Sequence, residues 1–190
     1  MDGSLLMVYT IGHSTRPLDE FIAVLEAHGI KRLVDIRTVP RSRTNPQFNR
    51  DTLPEALAVH GIEYMHMQAL GGLRHARKDS INTAWRNSSF RGYADYMQTP
   101  EFAAALDELI ALARHMPTAI MCAEAVEWRC HRSLVADALA ARGIEVRHIH
   151  STTQAKPHHM TSFAHVEGQA VTYPGTATPP ESDSREHSRR

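Results

Sequence analysis

Lysine is scarce in this chain: Lys31, Lys78 and Lys156 are the only lysines among 21 basic residues. The basic residues are balanced by 21 acidic ones, so no net field steers a polyanion toward the protein. Arginine supplies the remaining positive charge, and its planar fork of donors suits phosphate and carboxylate groups. Cysteine is scarce too, with Cys122 and Cys130 the only two. That is too few for a disulfide-built scaffold. Residues 1–7 are too short, and lack the basic start, for a secretory leader. A reducing, cytoplasmic home is therefore expected. No run approaches the roughly 18 apolar residues of a membrane span, so no membrane partner is expected. No G-x-G-x-x-G follows the first strand pattern, and no motif identifies a cofactor.

What is present is an alternation of apolar runs and helical patterns. Strand patterns cover Leu6 to Gly12, Arg32 to Ile36, Ile62 to Met67, Ala119 to Cys122 and Glu145 to Ile149. Helical patterns lie between them. One opens at Pro17 and ends at Gly29, and a short one spans Asp51 to His60. A third covers Phe90 to Met97, and a fourth starts at Thr99-Pro100-Glu101 with an apolar face of Phe102, Leu106, Leu109, Ile110 and Ala113. The last follows Cys130 and closes at Gly143. This order predicts an α/β fold of three layers, with a mostly parallel five-stranded sheet, helices on both faces and a Rossmann-like strand order. A single domain is expected over residues 1–150. From Ser151 the composition turns to Thr, Ser, Pro, His and Gly, and residues 151–190 are expected to be flexible and largely disordered.

Ligands in open α/β sheets bind beyond the carboxyl ends of the strands. Those ends carry Gly12, His13 and Ser14; Asp35 and Arg37; Gly71, Gly72 and Arg74; Cys122 and Glu124 opposite Cys130, His131 and Arg132; and His148 and His150. A thiol near a helix start has its thiolate favoured. Cys122 or Cys130 is therefore the candidate nucleophile or redox thiol, with His131 or His13 as base or acid and Glu124 beside them. Ser14, Arg37, Arg41, Arg74 and Arg132 are the candidate anion-binding residues. Asp35 is expected to satisfy loop N–H groups and to face away from Arg37. Gly71 and Gly72 are expected to form a turn requiring positive φ. Trp128 either caps the pocket or covers the core.

These residues support three readings. The first is an enzyme acting on a phosphorylated or otherwise anionic substrate at a Cys/His/Arg cleft. A phosphatase-like Cys-loop-Arg site fits poorly, because Cys122 to Arg129 is one residue too long and Glu124 and Glu127 would repel phosphate. The second is a nucleic-acid-binding module. Between Arg32 and Arg91 there are ten basic and five acidic residues, with Phe48, Trp85, Phe90 and Tyr93 available for stacking. The third is a metal site of Cys122, Cys130 and His131 with Glu124 or His13, although the Cys-x7-Cys-His spacing lacks the short pairing of common zinc modules.

Four segments together resemble one family. TIGHS at 10–14, VDIRTVPRS at 34–42, LGG at 70–72 and CAEAVEWRCHRSLVADAL at 122–139 are similar, in that order, to domain-of-unknown-function family 488. The resemblance runs from about Tyr9 to about Ile149. Its C-x-E…C-H-R signature falls on Cys122, Glu124, Cys130, His131 and Arg132. The histidine and serine of the first motif fall on His13 and Ser14, and the aspartate and arginine of the second on Asp35 and Arg37. The resemblance implies an α/β fold with a polar cleft and supplies no activity.

Overall fold

The computed structural model describes residues 6–175. Five parallel strands, β1 (Met7–Gly12), β2 (Arg32–Asp35), β3 (Glu63–His66), β4 (Thr118–Cys122) and β5 (Glu145–Ile149), form the body of one sheet. A sixth strand, β6 (Ala155–Pro157), pairs antiparallel with β5 at the edge. The spatial order is β3-β2-β4-β1-β5-β6. The α/β architecture is the expected one. The strand order departs from the Rossmann-like expectation, because β4 lies between β2 and β1. All five residues of β4 are buried, as a strand with neighbours on both sides and helices on both faces requires.

Pleat alternation divides the core into two layers. On one face Ile11, Leu33, Ala119, Met121 and Ile149 pack under Phe21, Ile22 and Leu25 of α1 (Leu18–Ala27) and Leu53 and Leu57 of α2 (Leu53–Val59). On the other, Val8, Val34, Ile120 and Val146 pack under α3 (Ser88–Tyr96), α4 (Pro100–His115) and α5 (Arg132–Ala141). The helix starts follow their capping chemistry. Asn87 accepts hydrogen bonds from the amides of Ser89 and Phe90, and Thr99 accepts one from Phe102 with Pro100 at the first helical position. No helix among the described residues is long and apolar enough to cross a membrane.

The chain after His150 corrects an expectation. Beyond β6, residues His165–Glu167 and Ala170–Thr172 form a two-stranded hairpin, β7 and β8. Val171 and Tyr173 are buried in the α3–α4–α5 layer. Tyr173 donates its hydroxyl to Asp137 Oδ2 at 2.7 Å, its amide to Asn82 Oδ1 at 2.8 Å, and its carbonyl accepts from Ala84 at 3.0 Å. Polar composition misled here because two apolar side chains and a few satisfied backbone groups are enough to dock a short strap. The part of the expected disordered segment from 176 to 190 lies outside the described residues.

Replacing Tyr173 with alanine should destabilise the protein by about 3–5 kcal/mol, as for other buried aromatics. Val59→Ala, at an 84% exposed position, should change stability by no more than about 0.5 kcal/mol. Urea denaturation of both variants checks this.

Candidate functional site

Strand register builds the site. Gly12 lies beside Cys122, and Thr10 is the register partner of both Ile120 and His148. Parallel partners project to the same face, so Thr10, Cys122 and His148 all look toward α5. Beyond the strands, the amides of His13 and Ser14 donate to the carbonyls of Cys122 and Ala123, each at 2.9 Å. The loop after β4 thus presses onto the end of β1. A Cβ on Gly12 would stand 1.6 Å from the Glu124 carbonyl oxygen and 2.9 Å from an Arg132 nitrogen. Only glycine permits that approach.

Arg132, the first residue of α5, is completely buried. Its Nε donates to Cys122 Sγ at 3.0 Å, Nη1 to Thr10 Oγ1 at 2.9 Å and Nη2 to the Glu124 carbonyl at 2.8 Å. Among the described residues it has no ion pair with a carboxylate. A buried guanidinium needs a compensating negative partner, and the Cys122 sulfur is the group in reach that can ionise. Burial alone would raise the Cys122 thiol. The hydrogen bond from Cys130 and the charge of Arg132 reverse this and bring it down to about 7. Burial and the neighbouring Cys122 raise Cys130 well above the ordinary thiol range. Of the two sulfurs, Cys122 is therefore the one that ionises more readily.

Cys130 Sγ lies 3.4 Å from His131 Nδ1 and accepts the Arg132 amide at 3.5 Å. The His131 Nε2–H donates to the Ile36 carbonyl at 3.0 Å. That bond fixes the tautomer and leaves Nδ1 as an acceptor facing Cys130. Burial lowers the His131 pKa to about 4, so the ring is neutral. Gly72 borders the imidazole, and a Cβ there would meet Nδ1 at 2.7 Å.

A second buried cluster flanks the first. Arg37 forks onto Asp35, with Nε to Oδ1 at 2.9 Å and Nη2 to Oδ2 at 2.7 Å, and Tyr64 donates its hydroxyl to the same carboxylate. The expectation that Asp35 faces away from Arg37 is thus wrong: a two-residue step along an extended chain returns to one side. Asp35 does also accept the Arg37 amide at 3.0 Å. Arg37 Nη1 donates to His13 Nε2 at 3.3 Å, while His13 Nδ1–H donates to the Ser14 carbonyl at 2.8 Å. Burial lowers the His13 pKa to about 4, and Arg37 pushes the same way. Ser14 takes the left-handed φ of 52° at this turn.

A cavity of about 400 Å³ opens over the ends of β2 and β4. Of the sequence candidates, Cys122, Glu124, Cys130, His131, Arg37, Arg41 and Gly72 line it. Val39, Leu73 and Phe90 supply apolar wall, and Arg129 joins the rim. Arg37 lines it with its charge neutralised by Asp35. The other candidates lie elsewhere. Arg132 sits behind Cys122, its donors spent within the protein. His13 lies behind Arg37 and stacks on Phe48 with ring centroids 4.4 Å apart. Ser14 belongs to the β1 turn. Arg74 lies over the Tyr96 ring, 3.6 Å from its centroid. Gly71 has an ordinary φ of −64°, and neither Gly71 nor Gly72 takes positive φ. They permit close approach instead, since a Cβ on Gly71 would lie 2.5 Å from the Thr38 hydroxyl. Trp128 is exposed and lines a separate cavity. Phe48 and Tyr93, expected as stacking surfaces for bases, are wholly buried. Thr10 went unnoticed, although a hydroxyl within the apolar strand MVYTIG was the available signal. Among the described residues no group of three or more His, Cys, Asp or Glu side chains is placed to hold a metal ion.

Iodoacetamide should label Cys122 with a midpoint near pH 7, leaving Cys130 unmodified through the neutral range; peptide mass spectrometry after labelling across pH measures both. Stability should fall as acid is added below pH 6.5. His13, His131 and His148 have folded pKa values of about 4, 4 and 3 against 6.5 unfolded, so the unfolded chain binds more protons in that window. Each contributes up to about 1.4 kcal/mol per pH unit, fully present above pH 6.5 and lost toward the folded value. Urea melts between pH 7.5 and 5 report the slope.

No curated protein and no solved structure gives a significant match to the chain. A family model described as domain of unknown function DUF488 matches residues 17–139. The match holds the second-strand cluster, both glycines, both cysteines and Arg132, while TIGHS and β5 lie outside it. It spans more than half of the sequence, and the chain belongs to the DUF488 family.

Proposed function

We propose that this protein is an enzyme in which the Cys122 thiolate attacks an electrophilic centre of a small phosphorylated or otherwise anionic substrate. The observation that carries this reading is the Cys122 sulfur itself. It borders the cavity on one side and accepts the fully buried Arg132 Nε–H at 3.0 Å on the other. Such backing favours an anion on sulfur without a general base in contact with it.

The step has a simple balance. The sulfur lone pair forms a bond to the electrophilic atom as the bond to the leaving group breaks, and the leaving group takes that electron pair. Water at the cavity supplies the proton that the leaving group takes up. Water or a second acceptor removes the group from Cys122. Among the described residues no hydrogen bond occupies the guanidinium groups of Arg41 and Arg129 on the rim, so these are assigned to the substrate anion. Val39, Leu73 and Phe90 take its apolar part. Arg37 and Arg132 serve the protein instead.

A panel of activated phosphate monoesters and carboxylate-bearing thioesters, with neutral analogues, tests this. Cys122→Ser should abolish turnover and the covalent adduct seen by intact mass. The double variant Arg41→Ala, Arg129→Ala should raise KM for anionic substrates with little change in kcat, the mark of lost uniform binding. Turnover that persists in Cys122→Ser would falsify the thiolate mechanism, and equal KM for neutral and anionic substrates would remove the anion assignment.

A further inference from the structure

Behind Arg132 the hydrogen bonds continue away from the cavity. Thr10 Oγ1 lies 2.6 Å from His148 Nδ1, His148 Nε2 lies 2.8 Å from His158 Nδ1, and His158 Nε2 lies 2.7 Å from Asp137 Oδ1. Asp137 Oδ2 accepts the Tyr173 hydroxyl at 2.7 Å, and Oδ1 also accepts the Thr161 amide at 3.1 Å. With a neutral His158, the proton positions follow from the two ends. Asp137 accepts, so His158 donates from Nε2 and accepts at Nδ1. His148 must then donate from Nε2 and accept at Nδ1. Arg132 donates to Thr10, so the Thr10 hydroxyl is free to donate to His148. Every link runs in one sense, from Arg132 toward Asp137.

We infer that Thr10, His148 and His158 are positioning residues which, anchored by Asp137, hold the Arg132 guanidinium so that its Nε–H points at Cys122. The inference rests on the thiolate reading and deepens it. A hydroxyl that gives its proton to His148 is a stronger acceptor for Arg132, since hydrogen bonds in a chain polarise one another. Burial, with the charge of Arg132 pushing the same way, lowers the His148 pKa to about 3, which keeps the ring neutral and its Nδ1 free to accept at neutral pH. Four elements feed the chain: β1 and β5 supply the register partners Thr10 and His148, α5 supplies Arg132 and Asp137, and the strap after β6 supplies His158 and Tyr173. Thr10, His148, His158 and Tyr173 all lie outside the residues matched by the family model.

Other charged and titratable groups face this centre. Cys130 and His131 precede α5, and Arg16 follows β1 with its charge against Arg132. His150 directly follows β5, 3.4 Å from Glu127 Oε2. Arg37, Arg41, Glu124 and Arg129 border the cavity. None of them is altered in the test.

The rate of Cys122 alkylation by iodoacetamide is followed against pH in the full chain. Thr10→Val keeps the shape and removes the acceptor, and its midpoint should rise by about one pH unit or more. Thr10→Ser restores the hydroxyl and should return the wild-type midpoint. His148→Asn keeps an acceptor near Nδ1 but cannot reach His158, and it should also raise the midpoint. His158→Gln keeps a donor for Asp137 and removes the acceptor for His148; it gives the same measurement if the interior variants do not fold. Midpoints unchanged in folded Thr10→Val or in His158→Gln overturn the relay. A shift in Thr10→Val without one in His148→Asn also overturns it, ending the chain at the hydroxyl. A wild-type midpoint at the ordinary thiol value is a different failure, since it removes the thiolate reading itself.

Discussion

The contact between the Arg132 guanidinium and the Cys122 sulfur is the constraint on which the rest of the site depends. A cation at zero exposure is costly unless its donors are satisfied and its charge is answered. Two strands and the loop after β4 meet that demand. Thr10, Cys122 and the Glu124 carbonyl each take one guanidinium direction, and Gly12 lets the Glu124 backbone come close enough to do so. The geometry that makes the arginine tolerable is the same geometry that draws Cys122 toward its anion.

Two arginines of the site answer the same problem in different ways. Arg37 is neutralised by a fork on Asp35 and adds the Phe48 carbonyl at 2.7 Å. It stiffens the exit of β2 and holds His13 uncharged. Arg132 has a sulfur in place of a carboxylate, so its field falls on the Cys122 thiol. The cavity wall is thereby left to Arg41 and Arg129 for charge and to Val39, Leu73 and Phe90 for apolar contact. Under the proposed thiolate mechanism, an inner, spent arginine would activate the thiol while outer arginines without hydrogen-bond partners recognise the ligand.

Much of this was readable from residue order. Ala119 to Cys122 is a strand because a short apolar run precedes a turn, and the helix after His131 announces itself by Leu134, Val135, Ala138 and Leu139. Cys122, Glu124, Arg37 and Gly72 end or follow strands, Cys130 and His131 open a helix, and Arg41 lies in an Arg-rich loop; one cavity gathers them. Where the reading failed, a nonlocal contact was responsible. Gly71 and Gly72 have ordinary backbone angles, and their lack of a side chain answers Thr38 and His131, residues distant in the chain. His158 and Tyr173 sit in a polar stretch whose composition says nothing of Asp137 waiting on α5.

The sequence by itself determined the kinds of elements, their order, and the set of polar residues at the strand ends, because periodicity and turn chemistry are local. Only the tertiary structure decided that β4 lies between β2 and β1, and that arrangement is what brings Thr10, Cys122 and His148 to one face beneath α5. It also decided which arginine is buried behind the thiol and which ones remain at the rim. Strand order and burial arise from contacts between distant segments, and those contacts leave no periodic mark in the residues that make them.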